Sequence, residues 1–475
     1  MNASMWRKLR ITISFVLALA LFGATAPAAL GASAEQIEEV RDLLEQYHLS
    51  KPDDEDLDET EIDAMVESLE DPYTQYFDDE QWDSFNSVLE QTFVGIGIVL
   101  VEDNGTVFVE DVIPGSPAES AGVEPGDALV GANGKTLKGK TSAEVQSELR
   151  GAENSIVALS VSRNGKALKF KITRKSVQIP VVTTRLLEKG VGYLSLSGFT
   201  SNAGSEVKNQ LEKLEQNGLT SLVFDLRNNG GGYVNAAQEI AGLFVEKGVL
   251  AHMRDREGVD HPLDITGSVK PYSVIILVNE NSASASELLS GALQDYGVAK
   301  LVGKKTYGKG VVQSLIPVKS GGVLKVTVQE YYTPNGRKVD QVGLKPDLVV
   351  NGAAEQLIGA FRLAGGQKVT LTSGKGVITL NGVRMSQPGA AWKEKTVWYV
   401  NLKLATAMLG GRLTYEAKSH TLNLTVNDQI RTIKTNDSHI RIKNGHSHID
   451  VRLLKKWFPG LSYSAAGETL KMITN

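Results

Sequence analysis

The chain has 475 residues, 41% hydrophobic and 22% charged, with a formal net charge of -5, 47 glycines and no cysteine. These proportions are ordinary for packed globular domains and exclude both wholesale disorder and a bundle of membrane spans; the length implies three or four compact units, because single cores rarely grow past about 250 residues. Without cysteine, disulfides, thiol nucleophiles and thiolate metal sites are excluded as well.

Residues 1–34 carry Arg7, Lys8 and Arg10, then an apolar stretch over 11–22, then small residues ending in Ala32, Ser33 and Ala34, which is the layout of a secretory signal. The apolar part is short for a bilayer span, so the segment is expected to be removed or kept as an anchor, with the body outside the cytoplasm in either case. Residues 35–92 place Ile37, Val40, Leu43 and Leu44, then Ile62, Met65, Val66 and Leu69, at helical spacing and predict a small helical domain. Such short helices bury little alone, so they should pack on the main body or on a second copy, which allows a homodimer. Residues 35–90 hold 21 acidic and 2 basic side chains, whereas 401–475 hold 11 basic and 5 acidic. The first is read as a solvated face; the second suits contact with an anionic cell-wall or membrane surface.

Over 93–176 short β-type runs alternate with turns, among them Asn133-Gly134. Within them the run GSPAESAGVEPGD at 115–127 resembles the PDZ signature, and the whole segment is read as a PDZ domain. A PDZ domain adds a C-terminal tail as a strand and holds its carboxylate on successive backbone N–H groups. Val94, Gly95, Ile96, Gly97 and Ile98 are placed to do this, with Ile96 and Ile98 lining the pocket for the last side chain. Arg150, at the far end of the module, is a candidate reporter of PDZ occupancy.

Strands then alternate with helices over 177–352, which predicts an α/β core. Residues 353–375 are read as a linker, and the remainder as β-rich. In that remainder 399–415 and 450–463 look like a loose duplication of a helix leading into a strand. The segment 376–475 resembles the stalk domain named after the N-terminal region of copper amine oxidases, without a copper site. His446 and His448 form the closest histidine pair and read as a solvated turn; no metal or other cofactor is inferred.

Two short runs carry the chemistry. The run NSASASE at 281–287 offers Ser284 just after an apolar strand, and YGKGVVQ at 307–313 offers Lys309 between two glycines. A serine hydroxyl needs a base in reach, and lysine serves only when burial makes its amine neutral. Residues two apart on a strand share a face, so Gln313 should point the same way as Lys309 and orient it. A neutral amide suits that task because a carboxylate would keep the lysine protonated. The N–H of Ala285, opening a helix, is one oxyanion donor; Gly230 or Gly231 in the run DLRNNGGG at 225–232 is the second. Ser284 and Glu287 also form an SxxE pattern that would serve as a helix cap alone.

Taken together these runs resemble the carboxyl-terminal processing peptidases, tail-specific serine proteases with a PDZ domain. The resemblance runs from about residue 60 to 350 and includes DPYTQYF at 71–77 and GLKPD at 343–347. It implies Ser284 as nucleophile, Lys309 as base and Gln313 as orienter. It also implies a multidomain α/β fold: a core of the crotonase and caseinolytic-protease type, an inserted β-rich PDZ module, an N-terminal helical cap and an α+β stalk-like C-terminal domain. The segment 336–343 is a shortened, altered form of the usual one. The expected function is hydrolysis of peptide bonds in proteins with accessible C-terminal tails, through an acyl-enzyme and without nucleic acid. Two other classes are a PDZ adaptor or wall-binding scaffold on an inactive protease fold, and an acyl-CoA enzyme sharing the core.

Overall fold

The computed structural model describes residues 32–103, 105–374 and 377–474, so the expected secretory signal over 1–34 lies almost wholly outside the described residues. The chain divides into two compact units, one built from the first 76 residues together with 182–475, the other from 77–181.

In the first unit, α1 (Ala34–Tyr47) is capped by the Ser33 hydroxyl, which accepts the Gln36 N–H, and α2 is Ile62–Ser68. Their apolar faces, with Val40, Leu44, Ile62 and Met65 buried, pack against Val318, Leu324 and Val326. These short helices thus rest on the main body rather than standing alone.

The body is built on one six-stranded sheet. Its strands are β1 (Val182–Leu186), β2 (Val191–Leu196), β3 (Ser221–Asp225), β4 (Ser273–Val278), β5 (Ala299–Gly303) and β6 (Leu348–Val349), adjacent in that order. The β1 to β2 pair is antiparallel and every later pair is parallel. Buried on both faces, β3 (SLVFD) and β4 (SVIILV) read as nearly continuous apolar runs, as central parallel strands do. Crossover helices cover the sheet: Ala203–Gln216 joins β2 to β3, Val234–Gly242 follows β3, and Ala285–Asp295 joins β4 to β5. A second, antiparallel sheet contains Lys247–Arg254, Asp260–Thr266, Val311–Pro317 and Val323–Tyr332, with the short strand Gln75–Phe77 at one edge.

Residues 353–375, expected as a linker, instead carry helix Ala353–Leu363 and a strand from Thr370. The helix buries Ala354, Leu357, Ile358 and Phe361, the 3.6-residue spacing of an amphipathic helix. Its core is continuous with Val223, Ile275, Leu277 and Val302 of the main sheet on one side and with Val400, Leu404, Leu424 and Leu454 on the other. The suspected duplication is present as structure. Strand Val397–Asn401, helix Leu402–Met408 and strand Arg412–Glu416 are matched by strand His446–Asp450, helix Val451–Trp457 and strand Ser462–Ala466. Asn401 and Asp450 cap the two helices with their side chains, and the two leading strands pair antiparallel. His448, read as part of a solvated turn, lies on the second leading strand instead. It is buried, with its ring nitrogens 3.0 Å from the His446 carbonyl and 2.7 Å from the Gly389 carbonyl, and the strand alternation that turns His446 outward turns His448 inward.

The second unit is a small β module. Strands Ile98–Asp103, Thr106–Val112, Ala128–Ala132, Ile156–Arg163 and Lys166–Thr173 form one sheet around a core that includes Ile96, Val109, Leu129 and Leu159. Arg163 forks onto the fully buried Asp127 at 2.7 and 2.8 Å, so this buried carboxylate is paired, and the guanidinium holds it below its ordinary range.

Candidate active site

Two loops meet at the carboxyl end of the central parallel strands, where open α/β sheets place their sites. Residues 226–233 leave β3 for helix Val234–Gly242, and residues 279–284 leave the adjacent β4 for helix Ala285–Asp295. They are laced together. Ser282 Oγ donates to the Leu226 carbonyl at 2.8 Å, Ala283 N–H and Ser286 Oγ donate to the Asn229 carbonyl at 3.1 and 2.9 Å, and Asn279 Oδ1 accepts the Asn228 N–H at 2.9 Å.

Ser284 stands at the start of its helix with φ 54° and ψ -117°, a region that side chains other than glycine rarely occupy. A turn this sharp between strand and helix projects the hydroxyl away from both. The capping pattern is satisfied from the other side: Ser284 N–H donates to Glu287 Oε2 at 3.0 Å, while the Glu287 N–H goes to the Ser284 carbonyl at 2.7 Å.

Glu287 is fully buried and reaches well beyond its own helix. Its Oε2 also accepts the Lys309 N–H at 2.9 Å, and Oε1 accepts the Gly308 N–H at 2.8 Å and the Thr306 hydroxyl. One carboxylate therefore holds the backbones of both the serine and the lysine. Burial pushes its pKa up against the pull of these donors. Tyr331, also buried, repeats the link: its hydroxyl donates to the Lys309 carbonyl at 2.7 Å and lies 3.3 Å from the Ser284 carbonyl. The two glycines beside Lys309 are needed for close approach. A Cβ on Gly310 would lie 2.1 Å from Asp340 N, and Gly308 has φ +94° and lies against residues 341–343.

Burial pushes the Lys309 amine down to about 8, helped by the Lys325 cation and opposed by Asp71 and Glu287. Its Nζ lies 4.6 Å from the centre of the Tyr73 ring.

Gln313 departs from the expected geometry. Lys309 precedes strand Val311–Pro317 rather than lying on it, and a bulge between Val312 and Gln313 shifts the register against Val323–Tyr332, so the two-residue parity does not hold. Gln313 Nε2 donates to Thr327 Oγ1 at 3.2 Å. Of the oxyanion candidates, Gly231 N–H is already given to Asn229 Oδ1 at 2.9 Å. Among the described residues no acceptor takes the N–H of Gly230 or Ala285. Gly231 has φ +103°, and a Cβ on it would come within 2.8 Å of Ser284 Cβ, so the loop passes close behind the serine.

In the second unit, Ile96 is buried in the module core, Ile98 packs at its edge, and Val94 is exposed. Gly97 has φ +82°, and a Cβ on it would fall 2.2 Å from Ser116 Cβ, while Gly95 ends a strand under Phe93. Arg150 is exposed at the end of helix Ser142–Leu149.

Glu287 beyond its capping role, and also Thr306, Tyr331, Tyr73 and Asp71, carry no local sequence signal of their place in the site. The pattern DPYTQYF was visible, but nothing local shows that it meets a lysine more than 200 residues away.

Residues 190–350 match the model of Peptidase family S41, residues 108–163 that of the PDZ domain, and residues 23–81 that of the activating protease CtpB N-terminal domain. A protein of Staphylococcus aureus (strain MSSA476) named "Probable CtpA-like serine protease" is 38% identical over 324 residues, 67% of this chain and 65% of its own length. One of the same name from Staphylococcus epidermidis is 34% identical over 325 residues, 67% of this chain and 66% of its own length. The match thus takes in just under two thirds of these relatives. Among solved structures, a photosystem II D1 C-terminal processing protease is 25% identical, with a TM-score of 0.44, covering 70% of this chain and 98% of that one. The chain therefore carries a Peptidase family S41 domain together with a PDZ domain and an N-terminal domain of the CtpB type.

Proposed function

We propose that the chain is an exported serine endopeptidase that takes protein C-terminal tails on its PDZ module and cleaves with Ser284 and Lys309. The observation that carries this reading is the buried Glu287 carboxylate, which binds the backbone of both residues while burial keeps the lysine amine near neutrality. With a pKa of about 8, roughly one amine in four is neutral at pH 7.5, against about one in a thousand at the ordinary lysine value.

The neutral amine of Lys309 takes the proton of Ser284 as its oxygen attacks the scissile carbonyl carbon. The negative charge on the carbonyl oxygen is met by the N–H groups of Ala285 and Gly230. On collapse the C–N bond breaks, and the Lys309 ammonium returns the proton to the departing amine. Water, deprotonated by the same amine, then opens the ester and restores Ser284. Gln313 is the candidate orienter, with its Nε2 anchored on Thr327 and its carbonyl oxygen the end that accepts from an amine. Residues 94–98 are the proposed carboxylate loop and Arg150 the proposed reporter. The alternation of parallel strands and crossover helices supports a core of the crotonase and caseinolytic-protease type. The C-terminal repeat supports a stalk-like domain whose basic surface contacts the cell wall, and a homodimer through the N-terminal helices belongs to the same reading.

The test compares wild type, Ser284→Ala and Lys309→Ala on an unstructured protein with an apolar C-terminus. Cleavage by wild type alone is expected, and equal cleavage by all three removes the mechanism. Binding of such tails without any cleavage by wild type identifies a PDZ scaffold instead.

A further inference from the structure

Residues 71–74 form an arm that ends over the lysine. Asp71 is its anchor. Tyr73 N–H donates to Asp71 Oδ1 at 2.9 Å, and the Thr74 hydroxyl donates to Oδ2 at 2.6 Å. His48 Nε2 lies 3.2 Å from Oδ2; its Nδ1 accepts the Ser50 N–H at 3.2 Å, which leaves the proton on Nε2 to be donated to Asp71. Burial disfavours the Asp71 carboxylate, but the bonds from His48, Thr74, Thr327 and the Tyr73 backbone outweigh it and hold the group well below the usual range. The arm is in turn fastened to strand Val323–Tyr332: Thr327 N–H donates to Thr74 Oγ1 at 3.1 Å, and the Thr327 hydroxyl accepts from Gln313. Tyr73 therefore has little backbone freedom. Its hydroxyl is bonded to Tyr307, whose own N–H donates to the Ser282 carbonyl at 3.0 Å on the serine loop.

We propose that Tyr73 is a positioning residue for Lys309: its ring roofs the amine, shuts water out on that side, and makes the catalytic site depend on the N-terminal arm. This inference rests on the Ser284 and Lys309 reading above. Two effects of the ring oppose each other. The face of the ring attracts an ammonium, whereas loss of water disfavours one and can lower a fully buried lysine by up to about 3 to 5 pKa units. Burial is the largest influence on Lys309 and lowers it, and the Tyr73 ring, 4.6 Å from Nζ, is part of that cover. The charged and titratable groups around the pair are Lys325 and Tyr331 on the strand, Glu287 on the helix, Asp71 on the arm, and Tyr307 and Asp340 on the loops.

The experiment uses the full chain and two readouts. The first is kcat/KM against pH for wild type, Tyr73→Ala and Tyr73→Phe. The second is the pH dependence of amine labelling at Lys309, read by mass spectrometry, in Ser284→Ala and in Ser284→Ala with each Tyr73 change. With the ring removed, the rise of kcat/KM and of labelling should move up by about one pH unit, a roughly tenfold loss of kcat/KM at pH 7. Tyr73→Phe, which keeps the ring, should stay within a few tenths of a unit of wild type. If Tyr73→Ala does not fold, Tyr73→Leu replaces it, and a shift in the same direction is expected. A folded variant without the ring that titrates like wild type overturns the proposal, as does an equal shift in the phenylalanine variant. Absence of cleavage by wild type would sink the proposed function, while the labelling arm would still decide whether Tyr73 roofs the amine.

Discussion

Replacing Glu287 with glutamine attacks the clamp between Ser284 and Lys309 without changing its shape. The carboxylate holds four donors, two on each oxygen: Ser284 and Lys309 N–H on Oε2, Gly308 N–H and the Thr306 hydroxyl on Oε1. An amide keeps one acceptor oxygen and turns N–H groups toward the other pair. Facing Gly308 it opposes one backbone donor; facing Ser284 and Lys309 it opposes two. At about 1 to 3 kcal/mol for each buried donor left without an acceptor, the substitution should destabilise the fold by about 3 kcal/mol. The site should suffer more than the fold, because misplacing catalytic groups by about 1 Å can cost about a hundredfold in rate. Urea unfolding of Glu287→Gln beside wild type reads the first quantity, and kcat on an unstructured substrate reads the second. A variant with the wild-type midpoint and kcat within twofold would show that this carboxylate does not set the Ser284 to Lys309 geometry.

Three further outcomes follow from the same site. Because Lys309 must be neutral to act, kcat/KM should rise with pH through about 8, and Lys325→Met should move that rise to higher pH, since removing a like charge favours the ammonium; a rise centred near pH 10 in wild type contradicts the buried amine. Gly231→Ala forces a Cβ into Ser284 at φ +103°, so activity should be lost and the thermal midpoint should fall by several degrees, a loss of about 2 kcal/mol, whereas wild-type melting and turnover would mean that the loop is not close-packed on the serine. Asp71 is lowered in the folded state, so its stabilisation is present above the unfolded pKa of about 3.9 and is lost as pH falls through the folded value. Asp71→Asn should accordingly be less stable than wild type by about 1 to 3 kcal/mol at pH 7, with the gap closing below about pH 4; a gap that does not depend on pH counts against an ionised Asp71.

The sequence exposed the residues whose chemistry is local. Ser284 stands on a strand-to-helix turn because an apolar run ends just before it, and the glycines around Lys309 signal the close approach that Asp340 makes. Groups that act through space stayed hidden. Glu287 looks like a cap at three residues' range, and its bonds to Thr306, Gly308 and Lys309 exist only once the strands are in place. The direction of the Gln313 side chain is not legible from parity: strand parity assumes an unbroken ladder, and the bulge at Val312 leaves no mark in residue type. The helix Ala353–Leu363 is a different case. Leu357, Ile358 and Phe361 stand at helical spacing, but the two surfaces they bridge come from distant parts of the chain.

That helix has a consequence for the molecule as a whole. One apolar layer passes without a break from the six-stranded sheet through Leu357 and Phe361 into the C-terminal repeat. The tail is therefore not an appendage that can be trimmed while leaving a tidy enzyme behind. Cutting at residue 352 would strip Ile275 and Val302 of their cover and leave an oily underside on the very sheet whose fourth strand leads to Ser284. The first duty of the tail is to keep that underside dry.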